Sequence, residues 1–263
     1  MRALGYLPDR KDSRDFKFSE YMQYRKLKPP PDRIDHLHAI QDILDQEQLG
    51  ACVSNAGFAA IRLKHALSGV RKPLLGNRLH GYWGARAYDG NIDWDAGSRI
   101  RNFFRFINSA GFMPEEETEH GYDILTFKQA PSREEKRLMF DQKNKMEGDV
   151  RYFRIDETGL NRKEQIKIAL ANNSPVVFGT SINEKFMSHT GDSVIRDFSE
   201  PLVGGHALYG AGYNPEGLLS PNSWGRFWGN EGTCVLSWEY IMWENTTDIW
   251  VVDKAPYYSE IAA

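Results

Sequence analysis

The chain has 263 residues, of which 41% are hydrophobic and 26% charged, with a formal net charge of −3. That is enough for one large domain or two modest ones around a real core. The even mixture of 33 basic and 36 acidic side chains excludes the clustered positive field by which proteins hold nucleic acid.

No stretch approaches the roughly 18 consecutive apolar residues of a membrane span, and the opening "MRALGYLPDRKDSRDFKF" lacks the apolar run of a secretory signal. The expectation is therefore no nucleic-acid partner, no membrane partner, and a cytoplasmic location at synthesis. Non-classical export or packaging into a particle is left open. Only two cysteines, Cys52 and Cys234, are present, so no disulfide framework is expected. A single bridge between them would have to join positions 182 apart (234 − 52).

Residues 1–28 are polar, with weak periodicity, and read as an N-terminal extension. Pro29, Pro30 and Pro31 favour an extended joint to a main domain over 29–263. Phe16, Phe18, Tyr21 and Tyr24 are able to dock the extension, which is expected to lie across the cleft of that domain and restrain access.

From Cys52 onward, Val53, Ala56, Ala59, Ala60 and Leu63 fit a helical period. Gly57 within it costs about 1 kcal/mol against Ala unless something packs closely there. Further helices are predicted over 77–88, 98–112 and 163–173. In the second, Ile100, Phe103, Phe104 and Ile107 form one apolar stripe and Gly111 makes a stop. Thereafter "SPVVFGTSI", "HALYGAGYN", "TCVLSWEYI" and "DIWVVD" read as strands of an antiparallel sheet or barrel. Helices first and strands second predict an α+β protein of two lobes, with a ligand cleft between them.

Three short segments carry chemistry. Cys52 follows "DQEQLGA" at the start of a helix, where open backbone N–H groups and the macrodipole favour a thiolate. Gln46 just upstream offers a side-chain amide, and with the Cys52 N–H it could receive an oxyanion. Gly50 lets the chain turn tightly without obstructing a substrate. A small buried cysteine is the alternative reading. A thiolate also needs a base. Of seven histidines, His36 and His38 form an H-x-H pair with no neighbouring cysteine or acidic cluster to complete a metal site. His65, His80, His120 and His189 read as surface or packing residues. His206 follows a double glycine at the opening of an apolar strand, where a histidine taken alone is more often a satisfied structural residue. "PNSWGRFWGNEG" places Asn222 where its oxygen could hold an imidazole, shielded by Trp224 and Trp228. It also reads as a loop with core tryptophans.

Taken together, "DQEQLGAC", "GGHALYGAGY" and "PNSWGRFWGNEG" resemble the papain-like cysteine peptidases, in that family's order Cys, His, Asn. His206 and Asn222 lie 154 (206 − 52) and 170 (222 − 52) residues past Cys52, against about 130–150 in the family. The resemblance spans residues 30–255. It implies a helical lobe, a β-barrel-like lobe and an active cleft between them. It also implies Cys52 as nucleophile, His206 as general acid/base, Asn222 as its orienter and Gln46 as oxyanion donor. Gly97 resembles the glycine that offers backbone hydrogen bonds to an extended peptide, and Gly50, Gly205 and Trp224 fall at substrate-binding positions. The disulfide partner and the tryptophan beside the nucleophile of extracellular members are missing, which brings the chain nearer the disulfide-poor bacterial or viral branch. The implied activity is hydrolysis of a peptide or protein substrate through an acyl-enzyme, with no metal or organic cofactor. A Cys-His-Asn acyltransferase or amidase, and an inactive peptide-binding or structural relative, are the competing readings.

Overall fold

The computed structural model describes residues 2–145 and 148–256. A short helix α1 (Phe18–Tyr24) and strand β1 (Ile34–Asp35) precede three longer helices, α2 (Cys52–Leu67), α3 (Arg78–Ala87) and α4 (Ile100–Ala110). Then come α5 (Arg133–Lys145), β2 (Arg151–Ile155), α6 (Gly159–Ala171), β3 (Val176–Asn183), α7 (Glu184–Met187) and β4 (Leu202–Gly210). The chain continues through β5 (Gly212–Tyr213), β6 (Gly217–Pro221), β7 (Thr233–Ser237), α8 (Trp238–Met242) and β8 (Thr246–Lys254). Helices dominate the first half and strands the second, the α+β division expected from the sequence.

The strand-rich lobe is two four-stranded sheets, ordered β2-β8-β3-β4 and β1-β5-β6-β7. Among the described residues this antiparallel lobe stays two sheets rather than one closed barrel. The reason lies at Ala211. Its N–H donates to Leu219 O and its carbonyl accepts from His36 N–H, which diverts the chain out of β4 and into the second sheet. Side chains alternate across the first sheet. Val177, Tyr209 and Trp250 face the core shared with α2 and α4, while Phe178, Leu208 and Val251 face the second core.

Local sequence explains the helices that carry the site. Asn77 caps α3 by accepting the His80 N–H at 2.7 Å. The stripe Ile100, Phe103, Phe104 and Ile107 is wholly buried, and Gly111 ends α4 with φ of +77°. Gly57 lies against the Phe103 ring, where any side chain would overlap, so close packing offsets its helical cost. Two predicted elements shift. Helix α6 starts at Gly159, before the expected 163. "WEYI" is α8 rather than strand, because the Ser237 hydroxyl accepts the Tyr240 N–H and starts a helix.

Two of the four docking aromatics engage. Phe18 is buried and Tyr21 stacks on Phe153 at 4.2 Å, whereas Phe16 and Tyr24 are 74% and 85% exposed. No helix among the described residues is long and apolar enough to cross a membrane.

Candidate active site

Helix α2 opens at Cys52 with no side-chain cap on Ala51, which leaves its first N–H groups open. Those of Cys52 and Val53 act on the Cys52 sulfur, joined by the N–H groups of Ala207 and Gly5 from elsewhere in the chain. All four favour a thiolate. Burial opposes them and wins: Cys52 is fully buried, and its thiol is pushed up to about 11.

Ala207 is the residue after His206 on β4, so the strand that touches the sulfur also carries the imidazole. His206 Nε2 donates to Asn222 Oδ1 at 2.7 Å, and the same oxygen accepts the Ser223 N–H at 2.8 Å. With Nε2 the donor, Nδ1 is the acceptor nitrogen; it is buried and carries no partner among the described residues. Trp224 stacks on the ring with centroids 4.4 Å apart and planes 26° apart. Burial lowers His206 to about 4, outweighing the Asn222 bond that raises it, with the Arg2 charge lowering it further. Sulfur and ring are both neutral in this state.

Gln46 lies in the turn before α2, where Glu47 takes a φ of +57°. Its Oε1 accepts the Ser223 hydroxyl at 2.7 Å, which fixes the orientation of the amide. Nε2 donates to Leu49 O at 2.8 Å and to Ala3 O at 3.1 Å. Ser223 thus ties Gln46 to Asn222, a role that only the fold reveals. Arg78 is another residue that sequence reasoning missed. Its guanidinium bonds Glu115 at 2.8 and 2.9 Å, Asp45 O at 3.0 Å and Asn55 Oδ1 at 2.8 Å, and it lies 3.6 Å over the Tyr122 ring. It anchors the Gln46 turn to α2 and α3.

Residues 2–7 run across this constellation. Tyr6 N–H donates to Gly205 O at 3.1 Å, Ser98 N–H to Gly5 O at 2.7 Å, and Leu7 N–H to Ser98 O at 3.0 Å. Arg2 bonds the Trp224 carbonyl and lies 5.4 Å over its ring. A side chain at Gly5 would overlap the Gly50 carbonyl, and one at Gly97 would overlap the Gly5 carbonyl. Gly50 is therefore glycine for close approach; the left-handed residue of its turn is Glu47, not Gly50. Gly97 has φ of +73°, but its N–H donates to Tyr82 at 3.0 Å. The backbone pairing with an extended segment runs through Ser98 instead.

The remaining candidates lie apart. His36 bonds Leu170 O at 3.0 Å and His65 bonds Pro256 O at 3.1 Å, both buried packing histidines. Cys234 and Cys52 are both free and buried, so no bridge joins them. No group of three or more metal-capable side chains occurs among the described residues.

Residues 85–247 match the family described as Papain family cysteine protease, a span that carries His206 and Asn222 and begins after Cys52. An uncharacterized peptidase C1-like protein of Acanthamoeba polyphaga mimivirus is 30% identical over 96% of this chain and 87% of its own length. Among solved structures, xylellain, a cysteine protease from Xylella fastidiosa, aligns with a TM-score of 0.78 at 24% identity, covering 95% of this chain and 96% of its own. A digestive procathepsin L 3 of Tenebrio molitor larval midgut aligns with a TM-score of 0.66 at 18% identity, covering 87% and 70% respectively.

Proposed function

The chain belongs to the papain family of cysteine proteases, and from that premise we propose that it is a cysteine-type peptidase in which Cys52, His206, Asn222 and Gln46 carry the reaction. The supporting observation is the His206–Asn222 pair: His206 Nε2 donates to Asn222 Oδ1 at 2.7 Å, which leaves Nδ1 buried and without a partner among the described residues, on the strand whose Ala207 N–H favours the Cys52 thiolate.

In this reading His206 Nδ1 takes the thiol proton and the thiolate attacks the peptide carbonyl carbon. Gln46 Nε2 and the Cys52 N–H receive the developing oxyanion. The imidazolium then returns the proton to the leaving amine as the C–N bond breaks, leaving a thioester. Water attacks the thioester, His206 accepts its proton, and the acid departs as the thiol is restored. No step calls for a metal or organic cofactor.

Residues 2–7 restrain this chemistry as the chain stands. Ala3 O takes the amide hydrogen of Gln46, and Gly5 helps seal the sulfur from water. Departure of the segment hydrates the thiol and imidazole, removing the burial that keeps both neutral. The test is hydrolysis of a quenched-fluorescent peptide library by the full chain, by Gly5→Ala, which unseats the segment, and by Gly5→Ala/Cys52→Ala. Cleavage by Gly5→Ala that vanishes in the double variant supports the reading; cleavage that survives the loss of Cys52 refutes it.

A further inference from the structure

We propose that the cavity between α4, β2, the end of β8 and the loop over residues 12–16 binds a small organic anion, one that joins a planar ring to two or more negative charges. The cavity measures about 750 Å³, within the range of small-molecule sites. None of Cys52, Gln46, His206 and Asn222 lines it, so this second site stands or falls without the peptidase reading.

The lining is cationic. The chain as a whole is negative, yet five basic side chains face the cavity against three aspartates. Arg101, Arg105 and Asn108 share one face of α4, at the i, i+4 and i+7 spacing of a helix. Two of the three are committed elsewhere. Arg101 holds Asp15 and the Arg10 carbonyl, and Asn108 exchanges two hydrogen bonds with the Val150 backbone at 2.9 Å each. Arg105 is exposed and pairs with no carboxylate among the described residues; its guanidinium lies 4.8 Å from the centre of the Tyr88 ring. Arg14 grips Asp12 through Nε and Nη2 at 2.9 and 2.7 Å, which leaves its Nη1 for a ligand. Guanidinium groups with donors to spare suit phosphate and carboxylate alike.

The lining is also aromatic. Tyr152, Phe153 and Trp250 contribute to it, and Tyr152 is held by stacking on Phe104 at 4.6 Å. The Tyr152 hydroxyl takes no hydrogen bond among the described residues. Burial first, then the Asp15 charge, pushes Tyr152 up to about 12, so it offers an anion a neutral donor. Phe16 is 74% exposed, although its carbonyl accepts the Arg154 N–H at 2.8 Å. Its backbone is tied to β2 while its ring stacks on no other. A planar ligand ring gives Phe16 an apolar partner as the ligand's charges meet Arg105 and Arg14. A bare phosphate would leave the rings wet, and a neutral ring would leave Arg105 unpaired.

Nucleotides and aromatic dicarboxylates share this chemistry. Isothermal titration calorimetry on the full chain at low salt therefore compares adenosine diphosphate, benzene-1,3-dicarboxylate, inorganic pyrophosphate and adenosine. Either ring-bearing anion should bind at least about tenfold more tightly than pyrophosphate or adenosine. Arg105→Ala should weaken it at least about tenfold and Phe16→Ala about three- to tenfold. Arg71→Ala, which removes an exposed arginine outside the cavity, should leave it unchanged. Both cavity positions are exposed, and circular dichroism verifies that the variants keep the fold. Tighter binding of the diphosphate assigns the charge to phosphate, and tighter binding of the dicarboxylate assigns it to carboxylate; both support the site. Binding of neither at millimolar concentration, equal binding of pyrophosphate or adenosine, unchanged affinity in Arg105→Ala, or an equal loss in Arg71→Ala overturns it.

Discussion

The Gln46 side-chain amide donates to the carbonyl of Ala3 at 3.1 Å, across 43 positions of chain. The donor assigned to a substrate oxyanion is therefore engaged by the protein's own N-terminal segment. The same segment places Gly5 over the sulfur and Arg2 against Trp224. Occupation of donor, nucleophile and shielding ring by six consecutive residues makes the segment the natural point at which to probe the site.

Gly5→Ala should open it. The added methyl cannot coexist with the Gly50 carbonyl, and the segment is easier to displace than the turn that Arg78 anchors. Carbamidomethylation of Cys52 at pH 7, read by peptide mapping, should quicken at least tenfold, on the order of the change that several pKa units of burial relief allow. In the parent, with its thiol near 11, labelling should climb only toward strongly alkaline pH; in the variant the climb should begin at lower pH. Identical profiles would show that the segment does not seal the thiol.

Gln46→Ala and Asn222→Ala separate two roles. In the Gly5→Ala background, loss of the oxyanion donor should cut kcat by about 10²–10³ with little change in KM. Loss of the imidazole's acceptor should cut kcat by about 10- to 100-fold, with Trp224 still stacked on the ring. Unchanged steady-state kcat in either variant would remove that residue from the mechanism.

Arg78→Met should be costly although Arg78 touches no reacting atom. It strands Glu115, which is largely buried beside it, and frees the Gln46 turn. Breaking one side of a buried pair costs roughly 3–5 kcal/mol, measurable as a denaturant midpoint shift. A shift near zero would show that the turn is held by other contacts.

Stability should fall as pH drops from about 6.5 to 4. Burial holds both His206 and His65 down to about 4, whereas unfolded imidazoles titrate near 6.5. The unfolded chain binds the extra protons in that window, so stability conferred by the neutral rings is full above it and lost descending through it. Asp9 acts in the opposite sense: burial first, then Asp248, raises it to about 6, so the folded state takes up its proton first and offsets about one histidine. One histidine remains uncompensated. Melting temperature should decline over this range, and His65→Gln should flatten the decline; a parent profile that is flat or rises on acidification would contradict the assignment.

The part of the candidate site open to sequence reading was the part written as short local words. Cys52, Gln46, His206 and Asn222, proposed above to carry the reaction, each sit in a compact segment whose residue types have few other reasons to occur together. The pairing of Gln46 with Ser223, and of Arg78 with Glu115, spans 177 and 37 positions, and no local period encodes such partners. Ser98 stayed hidden behind Gly97 because only the Tyr82 hydroxyl reveals that the Gly97 N–H is taken. Strand alternation identified apolar runs but not the bend at Ala211 that splits them into two sheets. Helix α5 and strand β2 escaped notice because "REEKRLMFDQKNK" is mostly charge around the buried Met139, and the five residues of "RYFRI" include two arginines. "RALGY" has no period at all; only its hydrogen bonds to Gln46, Ser98, Gly205 and Trp224 show where it lies.

The most direct measurement is intact mass of the Gly5→Ala chain, quenched after brief mixing with an activated ester of a short peptide. The account predicts a transient acyl adduct that maps to Cys52, decays by hydrolysis, and is absent from Gly5→Ala/Cys52→Ala. An adduct on any other residue, or none while the peptide is still cleaved, would contradict it.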